Sequence, residues 1–169
     1  MTRVKDLADG PTELDRVWGL RPEYYALFMQ DYNASVARLD PVVVELCRLH
    51  VARMVESDFD QALRYGPARA AGLTEAKIAA LSDYPTSPLF DARERIILEF
   101  AEQWVIQSSS ITDDDVARLQ TVLSAEEFMY FCKALSVIDQ FARANSAFRL
   151  AAPAAAPPTM PAFIPARAA

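Results

Sequence analysis

Helix-start signals recur along this chain, and almost nothing in it reads as strand. Val and Ile are scattered rather than alternating, Gly occurs only four times, and no Asn-Gly or Asp-Gly pair stands between alternating runs to mark a hairpin. The expected fold class is therefore all-α. Thr12 with Asp15 three positions on predicts a helix start. Pro22 suits the first turn of a second helix, which places Tyr25, Phe28, Met29, Tyr32, Val36 and Leu39 on one side and ends near Asp40. Pro41 opens a third helix running to about Val55. A further helix is expected from about Ser57 to Ala71, closed by Gly72 as a left-handed cap.

A short helix capped by Thr74 follows, then a connection through Pro85 and Pro88 that resists helix. From about Asp91 to Gln107, Ile96, Ile97, Phe100, Ala101 and Trp104 form an apolar stripe, with Arg93, Glu94, Glu99 and Glu102 largely on the solvated side. Thr112 can cap the helix begun by Asp113, Asp114 and Asp115, whose charges complement its positive end. Adjacent helical residues diverge by about 100°, so those three carboxylates make a poor metal site. Ser124 and Glu127 have the capping-box form and open the longest stripe, Phe128 to Phe148. Beyond it, residues 151–169 carry five prolines among small residues. That composition favours an extended tail, or an arm laying Met160, Phe163 and Ile164 into a neighbouring subunit. The organisation expected is an N-terminal helical segment over 1–20, a main domain over 21–150, and the Pro/Ala-rich tail over 151–169.

At 169 residues with 52% hydrophobic content, one core is the default. A net charge of −6, with 17 basic residues spread among 23 acidic ones, argues against a nucleic-acid partner. No apolar run approaches the roughly 18 residues of a membrane span, and the polar start does not resemble a signal peptide, so no membrane partner and a cytoplasmic location are expected. Cys47 and Cys132 are far apart in apolar helical patterns and read as small core residues rather than a redox pair. No Gly-rich phosphate loop, nucleophile elbow or zinc motif occurs. No cofactor and no metal are expected.

One segment, Glu45 to Arg64, carries chemistry in its spacing. Its frame is Glu45, eleven residues, Ser57, two residues, Asp60, three residues, Arg64. It resembles the active-site segment of the alkylhydroperoxidase D and carboxymuconolactone decarboxylase family, whose redox members carry cysteines where Ser57 and Asp60 stand and a histidine where Arg64 stands. The resemblance spans roughly residues 20–150. Ala71-Gly-Leu-Thr-Glu75 is similar to the family's segment after the active-site helix, Asp91 to Glu102 resembles its next long helix, and Asp139 with Arg143 resembles an Asn-x-x-x-Arg element of its last helix. It implies an all-α fold, a small pocket lined by the motif helices, and homo-oligomers such as dimers, trimers or hexamers. It also implies a small-molecule substrate handled either by a thiol pair or by acid and base groups.

Thiol peroxidase chemistry needs a thiolate and a second sulfur to resolve the oxidised product, which Ser57 and Asp60 cannot supply. Cys47 stands about 200° around the helix from Glu45 and faces away from it. Of the two chemistries that the resemblance implies, the leading expectation is proton transfer of the decarboxylase, isomerase or lyase type, with residual alkylhydroperoxidase activity through Cys47 as an alternative. In that reading Glu45 and Asp60 are catalytic, Arg64 binds an anion, and Ser57 donates a hydrogen bond to an oxyanion. Each residue also has a purely structural reading. Glu45 can pair with Arg48 or Arg53, Asp60 can pair with Arg64 one turn on, and His50, the only histidine, lies about 140° from Glu45 and reads as packing or surface. A binding or assembly protein that has lost catalysis is the alternative these pairings describe.

Overall fold

The computed structural model describes residues 2–152 and the backbone of 159–160. In chain order the elements are α1 (Glu13–Trp18), α2 (Pro22–Val36), α3 (Pro41–Met54), α4 (Asp58–Ala62), β1 (Arg64–Tyr65) and α5 (Gly66–Ala70). Then come α6 (Glu75–Ala79), a 3₁₀ turn at Ala80–Asp83, α7 (Ala92–Gln107), a 3₁₀ turn at Ser108–Ser110, α8 (Asp113–Gln120), α9 (Ala125–Phe148) and β2 (Thr159–Met160). The architecture is all-α. The two short strands pair in parallel, with Arg64 opposite Thr159 and Tyr65 opposite Met160. The side chains of the expected arm, Met160, Phe163 and Ile164, lie outside the described residues.

Thr12, Asp91, Thr112 and Ser124 each close a capping box with the carboxylate three residues on, and so fix the starts of α1, α7, α8 and α9. Such a cap is worth about 1 kcal/mol, because it satisfies amide groups that a first helical turn leaves without partners. The aspartate run at 113–115 is part of one of these caps, with Asp115 accepting from the Thr112 amide at 2.8 Å. Glu94 departs from the expected solvated face. It is buried because it completes the Asp91 cap and also meets Lys77 at 2.5 Å.

The helix expected over 57–71 is broken into α4, β1 and α5. Pro67 explains the break. In a continuous helix its ring would clash with the Leu63 carbonyl and leave that carbonyl without a donor. Leu63 instead turns extended, at φ −79° and ψ 153°, and Pro67 takes a first-turn position in α5. Gly72 then closes α5 at φ +98°, with the Leu73 amide donating back to the Ala68 carbonyl at 3.0 Å. Helix α2 also stops earlier than expected, at Val36.

Helix α3 is the centre of the molecule, packing against α4, α5, α7 and α9, while α2 lies along α9. It faces two apolar clusters at once. Val44 and Val51 join Met29, Tyr32, Phe59, Ile138 and Phe141 on one side. Val43, Leu46, Cys47 and Leu49 join Leu81, Ile97, Phe100, Phe131 and Leu135 on the other. Each large apolar side chain buried in these clusters stabilises the fold by roughly 1.5–3 kcal/mol. A helix buried on both sides leaves its polar residues no route to water. Glu45, Arg48 and His50 are therefore all buried.

Candidate functional site

The second half of the motif begins where α3 ends. Glu56 takes the left-handed conformation (φ 54°), its amide donates to the Arg53 carbonyl, and the Ser57 amide donates to the Ala52 carbonyl at 2.9 Å. This reversal folds α4 back under α3 and delivers Ser57 and Asp60, 1% and 3% exposed, into the protein. Ser57 caps α4, and its hydroxyl donates to Asp60 Oδ2 at 2.5 Å. A spacing of three at a helix start is what lets the first side chain reach the fourth. Here it joins a hydroxyl and a carboxyl.

Asp60 Oδ2 also accepts from Asn145 Nδ2 on α9 at 3.0 Å, and Asn145 Oδ1 accepts from the Trp18 indole N–H at 3.1 Å. A continuous hydrogen-bonded chain thus runs from Ser57 through Asp60 and Asn145 to Trp18. Burial pushes the Asp60 carboxyl above its ordinary range, and the Ser57 and Asn145 hydrogen bonds and the Arg48 charge only partly oppose it. Tyr32, against the same group, is raised by burial as well.

Glu45 and Arg48 form a two-point ion pair. Arg48 Nε donates to Glu45 Oε2 at 2.6 Å and Nη2 to Oε1 at 2.9 Å, while the Tyr65 amide also donates to Oε1 at 2.9 Å. Arg48 spends its other donors on backbone: Nη1 on the Asp60 carbonyl at 2.7 Å and Nη2 on the Leu63 carbonyl at 3.0 Å. Those carbonyls are available because α4 ends there. Burial alone would favour a neutral arginine, yet the Glu45 carboxylate, Tyr32 and Asp60 together outweigh burial and drive the pKa of Arg48 up. The pair holds three segments, α3, α4 and β1, at one point.

Arg64 does not meet Asp60. The expected one-turn ion pair requires a helix through both residues, and α4 stops at Ala62. Arg64 lies in β1 and donates from Nε to both Glu75 oxygens at 3.1 Å, and from Nη1 to the Gln61 and Leu63 carbonyls at 2.8 Å. Of the four frame residues, Ser57 and Asp60 touch, and Glu45 is joined to Asp60 through Arg48. Arg64 shares only the Leu63 carbonyl with that network. Arg53, the other partner considered for Glu45, donates instead to the Ile78 carbonyl at 2.8 Å.

His50 is on the opposite side of α3, packed edge-to-face on Tyr84. Its Nε2 is 3.4 Å from Glu102 Oε2 but is not aligned for a hydrogen bond, and Tyr84 donates to that same carboxylate at 2.9 Å. Burial lowers the imidazole pKa, with Glu102 opposing. Cys47 and Cys132 are free thiols. Cys47 is buried in the second cluster and its pKa is pushed by burial up to about 12. Asp139 and Arg143 form a one-turn pair at 2.8 Å on the surface of α9. Among the described residues no cluster of three metal-ligating side chains occurs, and no helix is long and apolar enough to cross a membrane.

Asn145, Trp18 and Tyr32 also belong to this centre; the sequence marks Tyr32 only as part of the α2 apolar stripe and gives no site signal for Trp18. Asn145 left a signal, since it continues the stripe of Ile138, Phe141 and Ala142, where a polar residue needs a buried partner.

No family model matches the chain. In sequence it is similar to the uncharacterised protein YnjA of Escherichia coli K12, at 26% identity over 140 residues, which is 81% of this chain and 77% of that protein. In structure it is similar to a protein of unknown function from Agrobacterium tumefaciens, provisionally assigned as the antioxidant defence protein AhpD. The TM-score is 0.75 at 21% identity, over 92% of this chain and 100% of that one. It is also similar to the debrominase Bmp8, in a cysteine-to-alanine variant in complex with 2,3,4-tribromopyrrole, with a TM-score of 0.69 at 15% identity over 86% of this chain and 79% of that one. The fold is AhpD-like.

Proposed function

We propose that this protein is a non-redox small-molecule-binding protein on the AhpD-like fold, in which the motif frame serves as an internal polar clasp rather than as a reaction centre. One observation carries this reading: both charged ends of the frame are already committed. Glu45 has its oxygens on Arg48 and the Tyr65 amide, and Arg64 has its guanidinium on Glu75 and two carbonyls. A general base needs a free lone pair within reach of a substrate proton, and an anion receptor needs free donors. Peroxide reduction is disfavoured further by the buried Cys47, whose raised pKa suppresses the thiolate. The small-molecule role draws on the likeness to the debrominase. A cytoplasmic homo-oligomer is the expected working form.

A second reading keeps acid–base chemistry at the frame, as a decarboxylase, isomerase or lyase, with Glu45 and Asp60 catalytic and Ser57 and Arg64 binding substrate. The raised pKa of Asp60 favours it, because a carboxyl that retains its proton can act as a general acid. A thermal-shift screen of carboxylated, lactone and quinone-like metabolites on the wild type, Glu45→Gln and Arg64→Ala separates the two readings. The clasp reading predicts that ligand-induced shifts survive Arg64→Ala. Loss of those shifts in Arg64→Ala, together with turnover abolished in Glu45→Gln, would establish the second reading instead.

A further inference from the structure

We propose that the groove between α1, the start of α2 and the end of α9 binds a small amphiphilic carboxylate, its apolar body against Trp18 and Phe148 and its carboxylate on Arg21. The groove encloses about 420 Å³ and is lined by Val17, Trp18, Leu20, Tyr24, Phe148 and Arg21. That is within the roughly 300–1,000 Å³ typical of small-ligand sites. Its walls are almost wholly apolar. Leu20 and Tyr24 are 39% and 68% exposed at its mouth, an unfavourable placement for an empty surface.

The floor is rigid before any ligand arrives. The Trp18 ring stacks on Phe28 and Phe141 at centroid distances of 6.0 and 5.5 Å, meets Phe148 edge-on at 5.9 Å, and has its N–H held by Asn145. A side chain fixed on several sides loses little entropy when a ligand packs on it. Its polar edge points away from the groove to Asn145, so the groove sees the ring's hydrocarbon.

Charge selects the occupant. The chain carries a net −6, yet the charged side chain lining this groove is an arginine, and its guanidinium has no hydrogen-bond or ion-pair partner among the described residues. Every other arginine that enters the motif region is committed to a carboxylate or to carbonyls. A free guanidinium at the rim of an apolar groove is complementary to an aromatic or acyl carboxylate and gives a neutral apolar molecule no comparable anchor.

The inference rests on the reading that the protein handles a small molecule, and it places that molecule away from Glu45 and Arg64. Calorimetric titration of the full chain with hydrocinnamate and with hydrocinnamyl alcohol tests it in the wild type, Arg21→Ala and Arg64→Ala. One equivalent of the acid is expected to bind at least about fivefold more tightly than the alcohol, the gain that a charge-assisted hydrogen bond supplies. Arg21→Ala, a change at an exposed residue, removes that difference and leaves alcohol binding intact. Arg64→Ala changes neither. Equal affinity for acid and alcohol in the wild type, acid binding unaltered by Arg21→Ala, or no binding of either probe overturns the proposal. Acid binding lost only in Arg64→Ala overturns both this site and the clasp reading. Self-association relieved by Tyr24→Glu, with the groove closed to both probes, overturns it in favour of a second copy as occupant.

Discussion

Glu45 and Arg48 stand one helical turn apart on α3, at 1% and 5% exposure, and meet through two hydrogen bonds of 2.6 and 2.9 Å. A one-turn pair on a helix surface would contribute only tenths of a kcal/mol. Burial changes its character, because neither charge can return to water if the other is removed. The Arg48 bonds to the Asp60 and Leu63 carbonyls make the pair the junction at which α4 stops. The position that resembles a catalytic glutamate therefore sits inside the protein's own architecture.

Asp60 couples folding to pH. Its folded-state pKa lies above the ordinary 3.8, chiefly through burial, so above that pH the folded state binds more protons than the unfolded one. The stability it contributes is complete below the ordinary value and is lost as pH rises through the raised one. Asp60→Asn keeps an acceptor for Ser57 and Asn145 without the ionisable proton. Urea unfolding across this window should show a flatter pH profile in the variant, with equal or greater stability at neutral pH. A profile parallel to the wild type would show that Asp60 is ionised when folded.

His50 acts in the opposite sense. Burial depresses its folded-state pKa, so as pH falls through the ordinary 6.5 the unfolded chain takes up the proton first and stability declines. Glu102, Tyr84 and Arg53 are the titratable or charged groups acting on it, and Glu102 limits the loss. His50→Gln should remove this acid-side decline, read as melting temperature against pH.

The thiols should differ in reactivity. Cys47 is buried with a pKa near 12, whereas Cys132 is only half-buried. Timed alkylation followed by mass spectrometry should modify Cys132 first and reach Cys47 only at the rate of unfolding. Prompt labelling of Cys47 in the native protein, or its oxidation by a stoichiometric hydroperoxide, would return thiol chemistry to consideration.

The turn into the motif is strained. Glu56 holds φ at 54°, a conformation that costs a non-glycine residue roughly 1 kcal/mol. Glu56→Gly should raise stability by up to about 1 kcal/mol. A loss of stability would mean that the Glu56 side chain contributes contacts outweighing that strain.

The helix starts were legible in the sequence because a capping box is local: Thr12, Thr112 and Ser124 need only the residues that follow them. The all-α class and the Glu45–Arg48 option were legible for the same reason. The break after α4 is hidden in the apolar pattern, which stays helical from Ser57 to Ala71, and only the clash of the Pro67 ring with the Leu63 carbonyl decides against a continuous helix. The same proline moves Arg64, which a continuous helix would set beside Asp60, onto β1. Asn145 and Trp18 were out of reach by distance alone, since Asn145 is 85 residues from Asp60 and 127 from Trp18 along the chain. Burial of Glu94 was missed because a glutamate within a charged run reads as solvated until its cap and Lys77 are seen together.

A double-mutant cycle at Glu45 and Arg48, with Glu45→Gln, Arg48→Met and the double variant measured by urea unfolding, shows whether the pair is a structural clasp. If the pair is a structural clasp, each single change strands the other's buried charge and costs roughly 3–5 kcal/mol, and the double variant costs well below the sum. A Glu45→Gln protein as stable as the wild type, or more stable, would show that the pair is not a clasp, because a catalytic carboxylate held against the fold's own stability would leave that signature.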